Sequence, residues 1–306
     1  MTSQAFNVQP IQASNREQLR GLLAAFGTVA IWSSYFLSLK LGALSPLSTF
    51  DLSLLRFGIP ALLLIRIFWK ALPSYKQTPW VYRLGIILGG GLPFFVVSAS
   101  AMKASGVLFG STLIPGVAPL FVTLLAVTLF KQPLPKKRLA GLAAILVGTM
   151  ALLAGAWFQG SVSIFIGASL FVVCAFSWAL FTLSVRQSQL KPLQVSALAA
   201  VPNGMLMLAL FAVYSPTSML FQIPTSELIA QAFTQGILVG ICSGLLYSLA
   251  ISKLGAEKTS AIGSLTPLVS TLLAVIILHE ALDIIPVLGL CLVATGVLLT
   301  SRVKTT

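Results

Sequence analysis

The chain has 306 residues, of which 57% are hydrophobic and 8% charged, with a mean hydropathy of +0.99. A soluble domain carries about 25% charged residues, so this composition excludes a water-soluble globular protein and leaves little chain for a soluble domain. A net charge of +13 would point to nucleic acid in a soluble chain; here the basic residues fall in short segments between apolar runs, where they set membrane topology, and no nucleic-acid partner is expected.

Residues 1–19 are polar and lack the apolar core of a signal peptide. They are expected to form a cytoplasmic tail, with the first apolar run as an uncleaved anchor. A spanning helix needs about 20 mostly apolar residues. Ten runs fit: 20–42, 46–69, 82–103, 106–130, 136–155, 163–186, 192–214, 233–252, 257–278 and 283–301. The expected fold is therefore an all-α membrane protein of ten transmembrane helices. Two connections are longer, 70–81 and 215–232. The second contains Pro216, Ser218, Gln222, Pro224 and Glu227 and is expected to hold a short helix on the membrane surface. With the N-terminus inside, all of the 19 basic residues except Lys40, Lys103 and Arg56 fall on the inner side. That bias predicts both termini in the cytoplasm.

The chain repeats itself. Pro119 to Met150 recurs at Pro267 to Leu298, matching Pro119/Pro267, Leu120/Leu268 and Thr123/Thr271. Leu124 to Val127 recurs as Leu272 to Val275, and Leu134/Leu282, Gly141/Gly289, Leu142/Leu290 and Gly148/Gly296 follow without a gap. Upstream, Gly21, Trp32, Leu37 and Ser38 match Gly167, Trp178, Leu183 and Ser184, and Pro46 and Gly58 match Pro192 and Gly204. The reading is two copies of one five-span unit, 20–155 and 163–301. Five is odd, so the second copy enters from the opposite side. The loops agree: Lys131, Lys136, Lys137 and Arg138 in the first copy correspond to His279, Glu280 and Asp283 in the second. Inverted repeats of this kind characterise secondary transporters, with the substrate near the midplane. Glu280 and Asp283 are expected to face no basic cluster.

Arg56 lies near the middle of span 2, where a guanidinium costs roughly 2.5–3.5 kcal/mol. Asp51, about 140° away around the helix, is a poor same-face partner. Two readings stand: Arg56 receives an anionic group such as a substrate carboxylate, or it ties helices together through backbone carbonyls. Trp32 and Trp178 occupy equivalent places in spans 1 and 6, too deep for an interfacial belt; they either line a cavity or pack the two copies together. Ser33, Ser34 and Tyr35 could bond a ligand, or equally their own helix backbone. Gly89, Gly90, Gly91 and Pro93 break span 3; Pro115, Gly116 and Pro119 interrupt span 4, and Pro267 span 9. These are read as bends that line a cavity or hinge, or as close packing. Gly236, Gly240 and Gly244 read as close packing in span 8.

No enzyme constellation is present. The single histidine, His279, sits at a predicted helix end, and Cys174, Cys242 and Cys291 lack metal-ligand spacing and read as buried thiols. No P-loop occurs, so no ATP coupling, ATPase subunit, cofactor or metal is implied. The expected partners are a small-molecule substrate and the bilayer.

Ile31-Trp32-Ser33-Ser34-Tyr35-Phe36, Lys40, Pro46 and Leu55-Arg56-Phe57 resemble the start of the first repeat of EamA-type proteins in the drug/metabolite transporter superfamily. Pro267, His279-Glu280-Ala281-Leu282, Gly289 and Gly296 resemble the end of the second, so the likeness covers about residues 20–301. It implies ten helices, a bacterial inner-membrane location and export of amino acids or other small metabolites. The chain departs from the family at Gln132, where an acid is usual, and at Tyr35, where an asparagine is frequent. Spans 1 and 6 contain no acid, unlike the four-helix multidrug relatives. The expected function is a secondary exporter of small amphipathic metabolites such as amino acids. The alternatives are a non-transporting receptor or scaffold, which needs no cavity, and a lipid-handling protein, which needs a groove open to the bilayer.

Overall fold

The computed structural model describes residues 15–158, 161–214, 218–254, 259, 262–263, 265–280 and 284–301. Among these, all regular structure is helical. In lipid only a helix or a closed barrel satisfies every backbone N–H and C=O, and these apolar runs take the helical solution. The long elements are α1 (Asn15–Leu44), α2 (Thr49–Lys70), α4 (Trp80–Gly89) with α5 (Leu92–Ala104), α6 (Val107–Phe130), α7 (Lys136–Phe158), α8 (Val162–Ser188), α9 (Pro192–Tyr214) and α10 (Thr225–Leu254). A short α3 (Leu72–Gln77) occupies the 70–81 connection. Eight spans are long and apolar enough to cross a membrane. Two shorter apolar helices follow, α11 (Thr266–Leu278) and α12 (Ile284–Ser301).

Several expected boundaries move. Helix α1 starts at Asn15, so residues 15–19 belong to a helix rather than a tail, and Lys253 of α10 pairs with Glu17 at 2.5 Å. Residues 225–232 hold no separate surface helix: Thr225–Gln231 forms the first turns of α10 and runs on through a π-helical segment, Ala232–Cys242. Its amides are satisfied across the bundle. Ser38 of α1 donates to Gln231 Oε1 at 2.7 Å, and Gln231 and Gln235 donate back to Ser38. Of the cysteines, Cys174 alone is buried; Cys242 is half-exposed and Cys291 exposed. Residues 1–14, most of 255–264, Ala281, Leu282, Asp283 and 302–306 lie outside the described residues.

Span 3 is broken at Gly90 and Gly91, between α4 and α5. Asn203 of α9 bridges the break, donating Nδ2–H to Ile87 O at 2.9 Å and accepting Leu92 N–H at 3.2 Å. Those two groups would otherwise be orphans in lipid. A side chain at Gly91 would collide with the Ile87 carbonyl.

Helices α7 and α12 cross at four glycines. A Cβ on Gly141 would lie 2.8 Å from Gly296 O, and one on Gly296 2.6 Å from Gly141 O. Gly148 and Gly289 face each other in the same way, at 2.9 and 3.0 Å. The numbers rise along α7 as they fall along α12, so the helices are antiparallel. Without a hydrophobic drive between helices in lipid, such close van der Waals contact is what holds them. Helices α6 and α11 end alike, with Lys131 (φ 50°) and His279 (φ 54°) in the left-handed region and their N–H groups on Ala126 O and Ala274 O.

Candidate functional site

Arg56 sits in a π-helical turn, Leu54–Gly58, within α2. Such turns recur at functional positions. It lies about 10 Å along a helix that begins at Thr49, shallower than a span starting at 46 would place it. Its Nη1 donates to Gln235 O at 3.2 Å, in the π-helical part of α10. Gly240 leaves the room: a Cβ there would crowd Pro60 and Nη1. The guanidinium carbon is 5.9 Å from the Tyr35 ring centre and 5.7 Å from that of Phe57. Asp51 is fully buried and turned elsewhere. It caps its own helix through Ser48 and accepts from Ser218 Oγ at 2.6 Å. The carbonyl tie is thus real but takes one donor. Among the described residues no other hydrogen bond or ion pair engages the guanidinium, which has five N–H groups to offer.

Arg56 opens on a chamber of about 70 Å³ lined with Trp32, Tyr35, Phe94, Trp178 and Thr266. A larger chamber of about 230 Å³ shares Trp32, Pro115 and Trp178 with it. Pro119, Pro267, Tyr247 and Arg138 are among the other residues that line the larger one. The structure therefore brings Arg56, Trp32, Trp178, Tyr35 and Pro115 to one place, drawn from α1, α2, α6 and α8. Trp32 packs on Tyr247 (ring centres 5.1 Å apart), and Trp178 lies between Phe94 (5.6 Å) and Phe181 (4.9 Å). Tyr35 shares a hydrogen bond with Ser98 Oγ at 3.3 Å, which fixes its ring.

The other expected residues divide: the serines and the span-3 residues stand apart from the chambers, and the prolines of α6 and α11 line one. Ser33 is buried with its hydroxyl 3.5 Å from Thr266 O, and Ser34 donates to Ala30 O of its own helix at 2.8 Å. Gly89, Gly90 and Gly91 pack against Ser177, Phe181 and Asn203 of α8 and α9, and Pro93 begins α5. Pro115 and Pro119 are inside α6, each leaving the carbonyl four residues back without its helical donor, and both line the larger chamber. Pro267 lines it too, but in the first turn of α11 rather than as a mid-helix break. Sequence reasoning missed Arg138, Tyr247, Phe94 and Thr266. Tyr247, a polar-tipped aromatic inside an apolar span, carried a usable signal; Arg138 was absorbed into the count of topology-setting loop charges.

Among the described residues, the buried hydroxyls of Ser111 and Thr112 on α6 and of Thr266, Ser270 and Thr271 on α11 have no hydrogen-bond partner. Further along, Lys40 Nζ donates to Ser105 O at 2.9 Å and lies 3.8 Å from Glu280 Oε1. Glu280 also accepts Val107 N–H at 3.2 Å, at the N-terminus of α6. Glu280 thus faces one basic residue, Lys40, where the sequence reading expected no basic cluster. Lys40 and Glu280 had been placed on the same side, and the pairing was legible from that.

A bundle of apolar helices around an aromatic-walled cavity with a cation in it defines a multi-pass membrane protein organised for a small-molecule ligand. The chain matches the EamA-like transporter family over residues 19–154 and 165–302, and it belongs to that family. It is a membrane transporter of the drug/metabolite superfamily. It is similar to an uncharacterized transporter, YetK, of Bacillus subtilis (strain 168), 24% identical over 247 residues that cover 79% of this chain and 70% of the relative. A crystal structure whose description gives no function shares the fold. Its TM-score is 0.61 at 22% identity, covering 91% of this chain and 95% of that one.

Proposed function

We propose that the chain is a secondary transporter of a bacterial inner membrane that exports small amphipathic metabolites such as amino acids by alternating access. The observation that carries this reading is Arg56, which makes one hydrogen bond, to Gln235 O, and lines a chamber walled by Trp32, Tyr35 and Trp178. A planar guanidinium meets a carboxylate through two parallel hydrogen bonds, and the apolar body of the ligand rests on the indoles. Both chambers are smaller than the roughly 300–1,000 Å³ of drug-sized pockets, which favours a metabolite. A receptor or scaffold gives no reason for the cavity.

The proposed architecture is ten spans in two inverted five-helix repeats, 20–155 and 163–301. The glycine crossing supports it: α7 and α12, the fifth spans of the two copies, meet antiparallel at equivalent residues, as a two-fold axis in the membrane plane requires. The charge bias then puts both termini and the Arg138 end in the cytoplasm and Glu280 outside. In that orientation the larger chamber faces the cytoplasm and Lys40–Glu280 closes the outside. Counterflow in proteoliposomes against labelled amino acids, with and without a pH gradient, tests the function. Saturable exchange of at least one amino acid is expected; its absence across the panel, for protein shown to be folded, rejects amino acids as the substrate class.

A further inference from the structure

We propose that the larger chamber is a second, separate anion subsite, with Arg138 as its cation, which receives the acidic group of a small organic anion before Arg56 does. This rests on the transport reading and orientation above and adds to it a site and a charge requirement.

Arg138 lies in the first turn of α7 and lines the 230 Å³ chamber with Trp32, Trp178 and Tyr247. Its Nε–H is buried and has no hydrogen-bond partner. A buried donor left unmade is costly, and a charged one more so. Nothing acidic offsets it: no aspartate or glutamate lines either chamber, and neither ion pair found among the described residues includes Arg138. Arg186 of α8 adds to the field rather than cancelling it, because it repels Arg138. The partial positive charge at the start of α7 acts in the same direction. An orphaned donor, two like charges and no counter-charge make a cavity complementary to an anion and hostile to a cation. Three rings in the same lining, Trp32, Trp178 and Tyr247, favour an anion with a flat apolar body.

The two chambers share Trp32, Pro115 and Trp178, so a ligand leaving Arg138 for Arg56 slides along the same indoles. The second copy lacks the equivalent group. The repeat register that pairs Gly141 with Gly289 pairs Arg138 with Pro286, so no cation waits at the matching outer position. Arg138 cannot set the direction of net flux, which the gradients fix. It can lower the KM at the cytoplasmic face alone, giving an exporter a high-affinity inner side and a low-affinity outer side.

The test uses the full chain in phosphatidylcholine nanodiscs and measures binding of labelled indole-3-acetate, with tryptamine as the same ring carrying the opposite charge. Saturable binding of indole-3-acetate and none of tryptamine is expected. Arg138→Gln should weaken it about tenfold, the scale of one charge-assisted hydrogen bond, and Arg138→Lys less, since charge stays and the fork goes. In liposomes, Arg138→Gln should raise the KM for transport from the Arg138 side and leave that from the other side unchanged. Should Arg138→Gln not fold, Arg138→Lys carries the same comparison. Equal binding in wild type and both variants overturns the subsite, as does wild-type chain that fails to bind indole-3-acetate or binds tryptamine as well. Displacement of the probe by phosphatidylglycerol would assign the cation to a lipid headgroup and also overturn it. The Arg56 reading fails separately: Arg56→Gln that transports normally removes Arg56 as the anion site whatever Arg138 does.

Discussion

Arg56→Gln separates a binding role from a structural one. The protein contacts at stake are one hydrogen bond to Gln235 O at 3.2 Å and two ring contacts beyond 5.5 Å. The hydrogen bond contributes about 1 kcal/mol net, and each ring contact about 0.5–1 kcal/mol. Removing a charge from a part-buried site in lipid returns roughly 2.5–3.5 kcal/mol of insertion cost. The balance for folding is near zero or favourable, and Gln keeps a donor that can reach the same carbonyl. For the ligand the balance is different. A carboxylate that loses its charged partner forfeits about 1.5–3 kcal/mol, which is a roughly 10- to 150-fold fall in kcat/KM. Arg56→Lys, with the charge but not the fork, should fall between. The assay is counterflow in proteoliposomes at matched protein abundance, together with thermal unfolding in detergent. Expected are unchanged abundance, a melting temperature within a few degrees of wild type, and transport down at least tenfold. Normal transport by Arg56→Gln refutes the anion-site argument. Loss of the variant from the membrane refutes the energy balance and leaves Arg56 as a strut between α2 and α10.

Glu280→Gln removes the Lys40 ion pair but keeps an acceptor for Val107 N–H, so it should cost no more than about 1 kcal/mol. Lys40→Gln should cost about the same and the double variant no more than either alone; additive losses in detergent unfolding would show that the two side chains act independently. Gly148→Leu and Gly296→Leu should each abolish accumulation of folded protein, because the facing backbone lies 2.6–2.9 Å from the first carbon added. Gly263→Ala, whose nearest neighbour would be Trp32 at 3.9 Å, should accumulate normally; equal expression of all three by membrane blotting would contradict the packing account. A reporter active only in the cytoplasm should be silent at Gly160 and active after Thr306, and activity at Gly160 would overturn the ten-span count and the inverted repeat together.

What the sequence determined by itself was what lipid demands of any chain. Runs such as Val107–Phe130 had to be helices, because nothing else in them could satisfy the backbone. The paired positions Gly141/Gly289, Gly148/Gly296 and Trp32/Trp178 were visible as a repeat because an internal match needs no structure to detect. Arg56 stood out because charge inside an apolar run is expensive. What the tertiary structure alone decided was which way each side chain faces. These helices are apolar all round, so periodicity carries little signal for the inner face. Ser33 and Ser34 are adjacent and chemically identical, yet one is buried against Thr266 O and the other turned back to its own helix. Asn203 and Gln235 drew no comment from the sequence, and their roles emerge only where they meet the break at Gly91 and the guanidinium of Arg56. Arg138 read as one of several loop charges, because a net count records which side a charge is on and not whether it points into a cavity. Facing is set by contacts between segments far apart in sequence, and in a bundle held by van der Waals packing those contacts exist only once all the helices have assembled.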